Sequence, residues 1–403
     1  MLFLKPQIPG TLNLTQTQPK TKVLYKEIKS RLLPSWAATG FKTQAAQKIV
    51  DIKLYKAYSN KMDIIRLFAI ASIVWGHTLF GWQNKTFASP IYTIIQVVFM
   101  QLGRLGTINF FIISGFFFSD KLKKFSVAGY LKYRQYSLII PWLIFICIFV
   151  AVQVCQIYSF QQLAHTNYRE VLELLSNLVK AAIFHAAFWF IPVSVFAAIF
   201  LIITKRFTNK VWFGLLLFTI TLFYCVNLYH GWVSVIHARS FLGYVFYMWL
   251  GVQVKNHLQL VKSTIDNISW RTLLVLIPLA FFWACLEGWD LKRIGCSDAF
   301  GSIRLSNGTL SILIFMALLK RKTIYSVKKL NPQKYVYGIY LVHSIILLEI
   351  MPVIDQFIIQ HNMFGNIPLI MTFQVIGFIA VMTAAYLLTI IIKNSKAKFL
   401  IGR

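Results

Sequence analysis

Apolar runs of 16 or more residues recur along almost the whole of this chain. One soluble core cannot bury so many uninterrupted apolar segments. In a bilayer, each segment can satisfy its backbone groups as a helix of its own. Ten runs are read as spans: 62–80, 91–119, 136–158, 181–204, 211–228, 238–254, 272–289, 302–320, 335–352 and 366–392. The expected fold is therefore all-α, a polytopic integral membrane protein of about ten transmembrane helices. The second run is the least regular. The glycines and Arg104 of "QLGRLGTINFF" are expected to divide it into a short helix and a true span.

Composition agrees. Charged residues make up 13% of the chain, about half the usual share of a globular protein. The net charge of +29 resembles a nucleic-acid signature, but the basic residues lie between the apolar runs and no nucleic-acid motif accompanies them. No nucleic-acid partner is expected; the implied partners of the runs are membrane lipids. Counted over alternate connections, one side of the membrane receives 32 lysines and arginines and the other seven. That asymmetry follows the positive-inside rule and places both termini in the cytoplasm.

Three domains follow. Residues 1–61 form a basic N-terminal extension, read equally well as disordered or as a surface helix through "LYKEIKSRLLPSWAATGFK". Residues 62–392 form the membrane domain, and 393–403 a short basic tail. No signal peptide is read ahead of the first span, and no further domain after the last. Four of the five cysteines, Cys147, Cys155, Cys225 and Cys285, fall in or beside apolar runs, and Cys296 stands alone in a loop. Neither a disulfide framework nor a metal cluster is expected.

The first run, "MDIIRLFAIASIVWGHTLF", carries Asp63, Arg66 and His77. Ionisable groups in a bilayer cost several kcal/mol unless paired or solvated. Singly, each has an ordinary explanation. Arg66 can snorkel to head groups, Asp63 can pair with it one turn away, and His77 can sit at an interface. Spacing adds something. Eleven residues at about 100° each end roughly 20° past three full turns, so Arg66 and His77 share a face, separated by about 16 Å along the axis. One stripe thus presents a fixed cation, suited to clamping an anion, and a titratable base. Asp63, at the helix start, is expected to anchor Arg66.

Several motifs resemble those of the membrane acyltransferase-3 family. "MDIIRLFAIASIVWGH" resembles its first-helix signature of arginine, ten residues, then histidine. "FFIISGFFF" (110–118) resembles its FFxxSGF segment, and "YLKYRQYSLIIP" (130–141) its arginine-containing run before a proline. "FWFIPV" (188–193) resembles its WFL motif, and "YVYGIYLVH" (335–343) its SYxIYLxH segment. The likeness covers about residues 60 to 392. Two departures stand out: tyrosine replaces the usual serine-tyrosine near 335–337, and His185 lies four residues before Trp189.

The resemblance implies an integral-membrane O-acyltransferase. It would move an acyl group, usually acetyl, from cytoplasmic acyl-CoA to a hydroxyl of an envelope or exported polysaccharide. The co-substrate would be acetyl-CoA or another acyl-CoA, with no bound cofactor, and the location a cell membrane, the inner one in a bacterium. Carried over, His77 would be the catalytic base and Arg66 would orient the donor. Arg134 would be a second donor contact, and Ser114 and Gly115 would shape close helix packing. His343, inside the ninth run, is a site candidate because it is an intramembrane ionisable group; a bundle hydrogen bond is its competing role. For the acceptor, the polar loop "EGWDLKRIGCSDAFGSIR" (287–304) offers Glu287, Trp289, Asp290, Arg293 and Arg304, with an ordinary solvated loop as the alternative. A transporter or flippase of a sugar or lipid-linked sugar is the rival function. It is disfavoured by the lack of an internal repeat among the spans.

Overall fold

The computed structural model describes residues 35–78, 90–157, 167–184, 186–236, 239–321, 327, 329–361 and 366–402. The chain divides into two compact units, residues 1–57 and 58–403. Among the described residues it is helical throughout, with no strand. The helices are α1 Ser35–His77, α2 Pro90–Leu102, α3 Leu105–Leu122, α4 Val127–Arg134, α5 Ile140–Ile157, α6 Tyr168–Phe184 and α7 Phe190–Ile203. They continue as α8 Val211–His230, α9 Phe241–Asn256, α10 Leu258–Asn267, α11 Trp270–Arg293, α12 Leu305–Lys320, α13 Pro332–Gln360 and α14 Ile367–Asn394. A π-turn, Gln135–Ile139, joins α4 to α5; 3-10 turns occupy Ala187–Trp189 and Lys396–Ile401.

Local chemistry sets several of these limits. Ser126, Ser269 and Asn366 cap α4, α11 and α14 by accepting from the backbone N–H three residues on. Asn331, in the left-handed region, precedes Pro332 at the first position of α13, where a missing N–H costs nothing. The break expected in the second run is real: α2 ends at Leu102, and Gly103–Arg104 separate it from α3.

Six helical segments are long and apolar enough to cross a membrane, and the pair Tyr168–Phe184 and Ala187–Ile203, bent by 64°, would make a seventh. The sequence reading of ten spans is larger, for identifiable reasons. A described helix lies under every one of the ten runs. However, the first run carries Lys61, Asp63 and Arg66 close beside it or within it, and α9 and α12 are 16 residues each. Outward faces are apolar as lipid contact requires, with Leu274, Leu279 and Phe282 of α11 between 59% and 69% exposed. Of the N-terminal extension, residues 1–34, which include most of the expected surface helix, lie outside the described residues; residues 35–61 are helical.

The core that positions the site gathers Ile70 and Val74 of α1, Phe145 and Phe149 of α5, Phe188, and Val336, Ile339 and Leu341 of α13. Beside it, α3 crosses α9 almost backbone to backbone. A β-carbon on Gly115 would lie 1.9 Å from the Met248 carbonyl oxygen, and one on Gly251 1.9 Å from that of Ile112. Only glycine fits at either position, the small-residue route by which membrane helices approach.

Candidate active site

Two cavities flank the middle of the second unit, and α1 contributes to both. The first, about 520 Å³, is lined by Arg66, Arg134, Lys334 and Lys393 together with Ser114, Ser137 and Tyr337. The second, about 350 Å³, is lined by His77, Arg104, Thr107, Trp189, Ser297, Asp298 and Ser302. Phe190 and Tyr340 line both, so these two rings form the shared wall. That wall is braced. The Tyr340 hydroxyl donates to the Ala187 carbonyl at 2.5 Å, and the Trp142 indole N–H donates to the Phe188 carbonyl at 2.9 Å. The 3-10 turn Ala187–Trp189 is thus pinned from two sides, which fixes Trp189 and the start of α7.

In the arginine cavity, Arg66 Nη1 donates to Asp63 Oδ1 at 2.7 Å, and its guanidinium lies 4.3 Å from the Phe117 ring centroid. These contacts help hold a charge that is 16% exposed. Arg134 faces the rings of Tyr130 and Tyr133, and its buried Nε has no partner among the described residues. The C-terminal tail forms part of this wall. Lys393 Nζ donates to the Gly402 carbonyl at 2.8 Å, Ile401 is buried, and both Ile401 and Gly402 line the cavity. Four cationic side chains around one cavity make a receptacle for a polyanion.

In the histidine cavity, His77 ends α1 and Arg104 enters from the break between α2 and α3. Their approach depends on two glycines: a β-carbon on Gly103 would lie 2.3 Å from the Gly76 α-carbon. Asp298 acts on Arg104 across this cavity as an opposite charge. A polar network holds the loop that carries Asp298. Arg304, wholly buried, donates to the Ala284 carbonyl at 2.6 Å, to the Gly301 carbonyl at 3.2 Å, and to Gln101. Gln101 in turn donates to Asn307 at 2.9 Å, and Asn307 donates to the Ser302 carbonyl at 2.8 Å. Glu287 accepts from the Ser306 N–H at 3.1 Å and from its hydroxyl. Such networks fix a single arrangement when their members are satisfied.

His343 lies behind His77, away from the cavity, with ring centroids 5.6 Å apart. It is fully buried, and its Nδ1 is 2.7 Å from the Tyr340 carbonyl oxygen.

The residues expected from sequence therefore separate into groups. Arg66, Arg134 and Ser114 meet at one cavity, and His77 lines the other. Asp63 holds Arg66, and Gly115 makes the α3–α9 crossing. Of the five acceptor candidates, none lines either cavity: Glu287 and Arg304 serve the internal network, while Asp290 and Arg293 are exposed and Trp289 is partly buried. The same loop instead sends Ser297, Asp298 and Ser302 to the histidine cavity. Sequence reasoning missed these, Arg104, and the tail's share of the arginine cavity. For Arg104 a signal existed, since an arginine inside an apolar run marks a site candidate. His185 lies outside the described residues.

Comparison with characterised proteins and with solved structures gives no significant match. The family model described as "Acyltransferase domain", that of the acyltransferase-3 family, matches residues 59–392. This match takes in the histidine cavity, the shared wall, and the arginine cavity apart from Lys393, Ile401 and Gly402, so the chain belongs to the acyltransferase-3 family, as a multi-helix membrane acyltransferase.

Proposed function

We propose that this protein is an O-acyltransferase that uses a cytoplasmic acyl-CoA, in the simplest case acetyl-CoA, to acylate a hydroxyl of an envelope or exported polysaccharide. In this reading the chain makes ten spans with both termini in the cytoplasm, and the membrane is the cytoplasmic one in a bacterium. The observation that carries it is the pair of cavities on one helix: Arg66 opens on the first and His77 on the second, and Phe190 and Tyr340 line both.

The division suits a donor and an acceptor of opposite character. Coenzyme A carries several phosphate charges, and the arginine cavity gathers Arg66, Arg134, Lys334 and Lys393. A sugar hydroxyl is neutral and a poor nucleophile, and the histidine cavity offers a base with Asp298, Ser297 and Ser302 as hydrogen-bonding partners. The thioester would reach past the Phe190–Tyr340 wall toward His77. His77 takes the hydroxyl proton as the oxygen attacks the acyl carbon; the C–S bond breaks, and the imidazolium returns the proton to the departing thiolate. His77 stands in the last turn of α1, where the helix's partial negative charge favours the positive charge it transiently gains. General-base assistance of this kind is worth about 10²–10⁴-fold.

The test compares cells expressing the wild type and His77→Ala at equal membrane levels, with the O-acetyl content of their surface glycan read by NMR. Acylation that requires His77 is the expected result. Equal acylation in both would assign His77 a structural role, and a glycan moved but never modified would favour transport.

A further inference from the structure

His343 is the one described histidine that touches His77, and its hydrogen bonding decides which of its nitrogens can act. A carbonyl oxygen only accepts. Nδ1, 2.7 Å from the Tyr340 carbonyl and 3.2 Å from that of Ile339, therefore carries the proton. Nε2 is left with the lone pair. It is buried and has no hydrogen-bond partner among the described residues. A buried polar atom without a partner costs free energy, so its retention calls for a partner that arrives with function.

We propose that His343 is a positioning residue for His77: its Nε2 accepts the N–H of the His77 imidazole and so fixes which His77 nitrogen is turned toward the acceptor hydroxyl. This rests on the reading of His77 as general base. Two imidazoles joined by a hydrogen bond of about 2.9 Å have centroids about 5 Å apart, against 5.6 Å here. The remaining gap closes with a small turn of the His77 ring, since catalytic hydrogen bonds often tighten only once substrate is bound. The ring of His343 cannot follow freely, because Nδ1–H ties it to α13. Tyr340, whose carbonyl makes that tie, also stands in the wall between the cavities, so one helical turn holds both the partition and the support of the base.

A neutral imidazole is well suited to this place. Soluble hydrolases orient the catalytic histidine with a carboxylate. A carboxylate at this depth would bury an uncompensated charge at a cost of several kcal/mol. Nε2 of His343 supplies the acceptor without the charge.

The experiment measures transfer from acetyl-CoA by the full-length enzyme in membranes for wild type, His343→Phe, His343→Gln, His77→Ala and the His343→Phe/His77→Ala pair. Phenylalanine keeps the aromatic volume and removes the acceptor; glutamine keeps an acceptor oxygen near the Nε2 position. The expected result is a loss of about 10- to 100-fold in kcat for His343→Phe, as for other residues that orient a functional imidazole, with KM for acetyl-CoA unchanged. Glutamine recovers most of that loss, and His343→Phe adds nothing once His77 is gone. Should the Phe protein fail to accumulate, His343→Met replaces it under the same criteria. An unimpaired His343→Phe enzyme, an equal loss in the Gln variant, or a further loss in the His77→Ala background would each overturn the proposal while leaving the role of His77 intact. A wild type whose transfer is indifferent to His77 would overturn both.

Discussion

The two cavities share a helix and a wall yet are built by different means. The arginine cavity is made of long cationic side chains reaching in from α1, α4, α13 and α14, closed by a tail that folds back through Ile401 and Gly402. Its charges are held by a few side-chain contacts, such as the Asp63 ion pair and the Phe117 ring around Arg66 and the two tyrosine rings beside Arg134. The histidine cavity is set on backbone fixed by glycine contacts and by the buried network of Arg304, Gln101, Asn307 and Glu287. A polyanion is recognised by charge over distance and tolerates adjustable partners. Proton transfer needs heavy atoms within about 3 Å and tolerates little. In this account binding and chemistry are allotted to two positions on α1, Arg66 within the helix and His77 at its end.

That contrast is sharpened or broken by single substitutions. The largest effect is expected from His77→Ala, which should lower kcat by about 10²–10⁴-fold while leaving KM for acetyl-CoA unchanged, as read in initial rates at varied donor. Arg66→Ala should do the reverse, raising KM for the donor by about tenfold or more with a smaller change in kcat, because charge-assisted hydrogen bonds contribute about 1.5–3 kcal/mol. The donor KM should also rise with salt in the wild type and less steeply in this variant. Asp298→Asn keeps the shape but removes the charge opposite Arg104. It should weaken acceptor use several-fold, by about 1 kcal/mol, with the donor KM untouched. The smallest effect belongs to Arg293→Ala, exposed and off both cavities, which should change activity and thermal stability by less than about 0.5 kcal/mol. A large loss there would move the acceptor site out to the loop surface and break the comparison.

Much of the scaffold was legible in the sequence because membrane helices announce themselves by length of apolar run. The Gly103–Arg104 break was legible from residue type, and the Asp63–Arg66 pair from three-residue spacing. The placement of Arg66 and His77 on one stripe followed from helix period alone. The acceptor side was not legible in this way. Glu287 and Arg304 look like binding residues in a polar loop, but each is taken up by partners distant in sequence, Ser306 for one and Gln101 with Ala284 for the other. Asp298, eleven residues past Glu287 in the same loop, reaches the cavity together with Ser297 and Ser302, and no local pattern distinguishes them. The tail reads as leftover positive charge; only the packing of Ile401 and the Lys393–Gly402 bond give it a wall to form.

The central claim is that donor binding, at the arginine cavity, and proton transfer, at His77, are separable. The most direct measurement is the thermal stabilisation of the purified, detergent-solubilised protein by acetyl-CoA, made for wild type, His77→Ala and Arg134→Ala. The account predicts the same ligand-induced shift for wild type and His77→Ala, although the latter transfers acyl groups far more slowly, and a strongly reduced shift for Arg134→Ala. A shift lost with His77, or retained in full without Arg134, would contradict it.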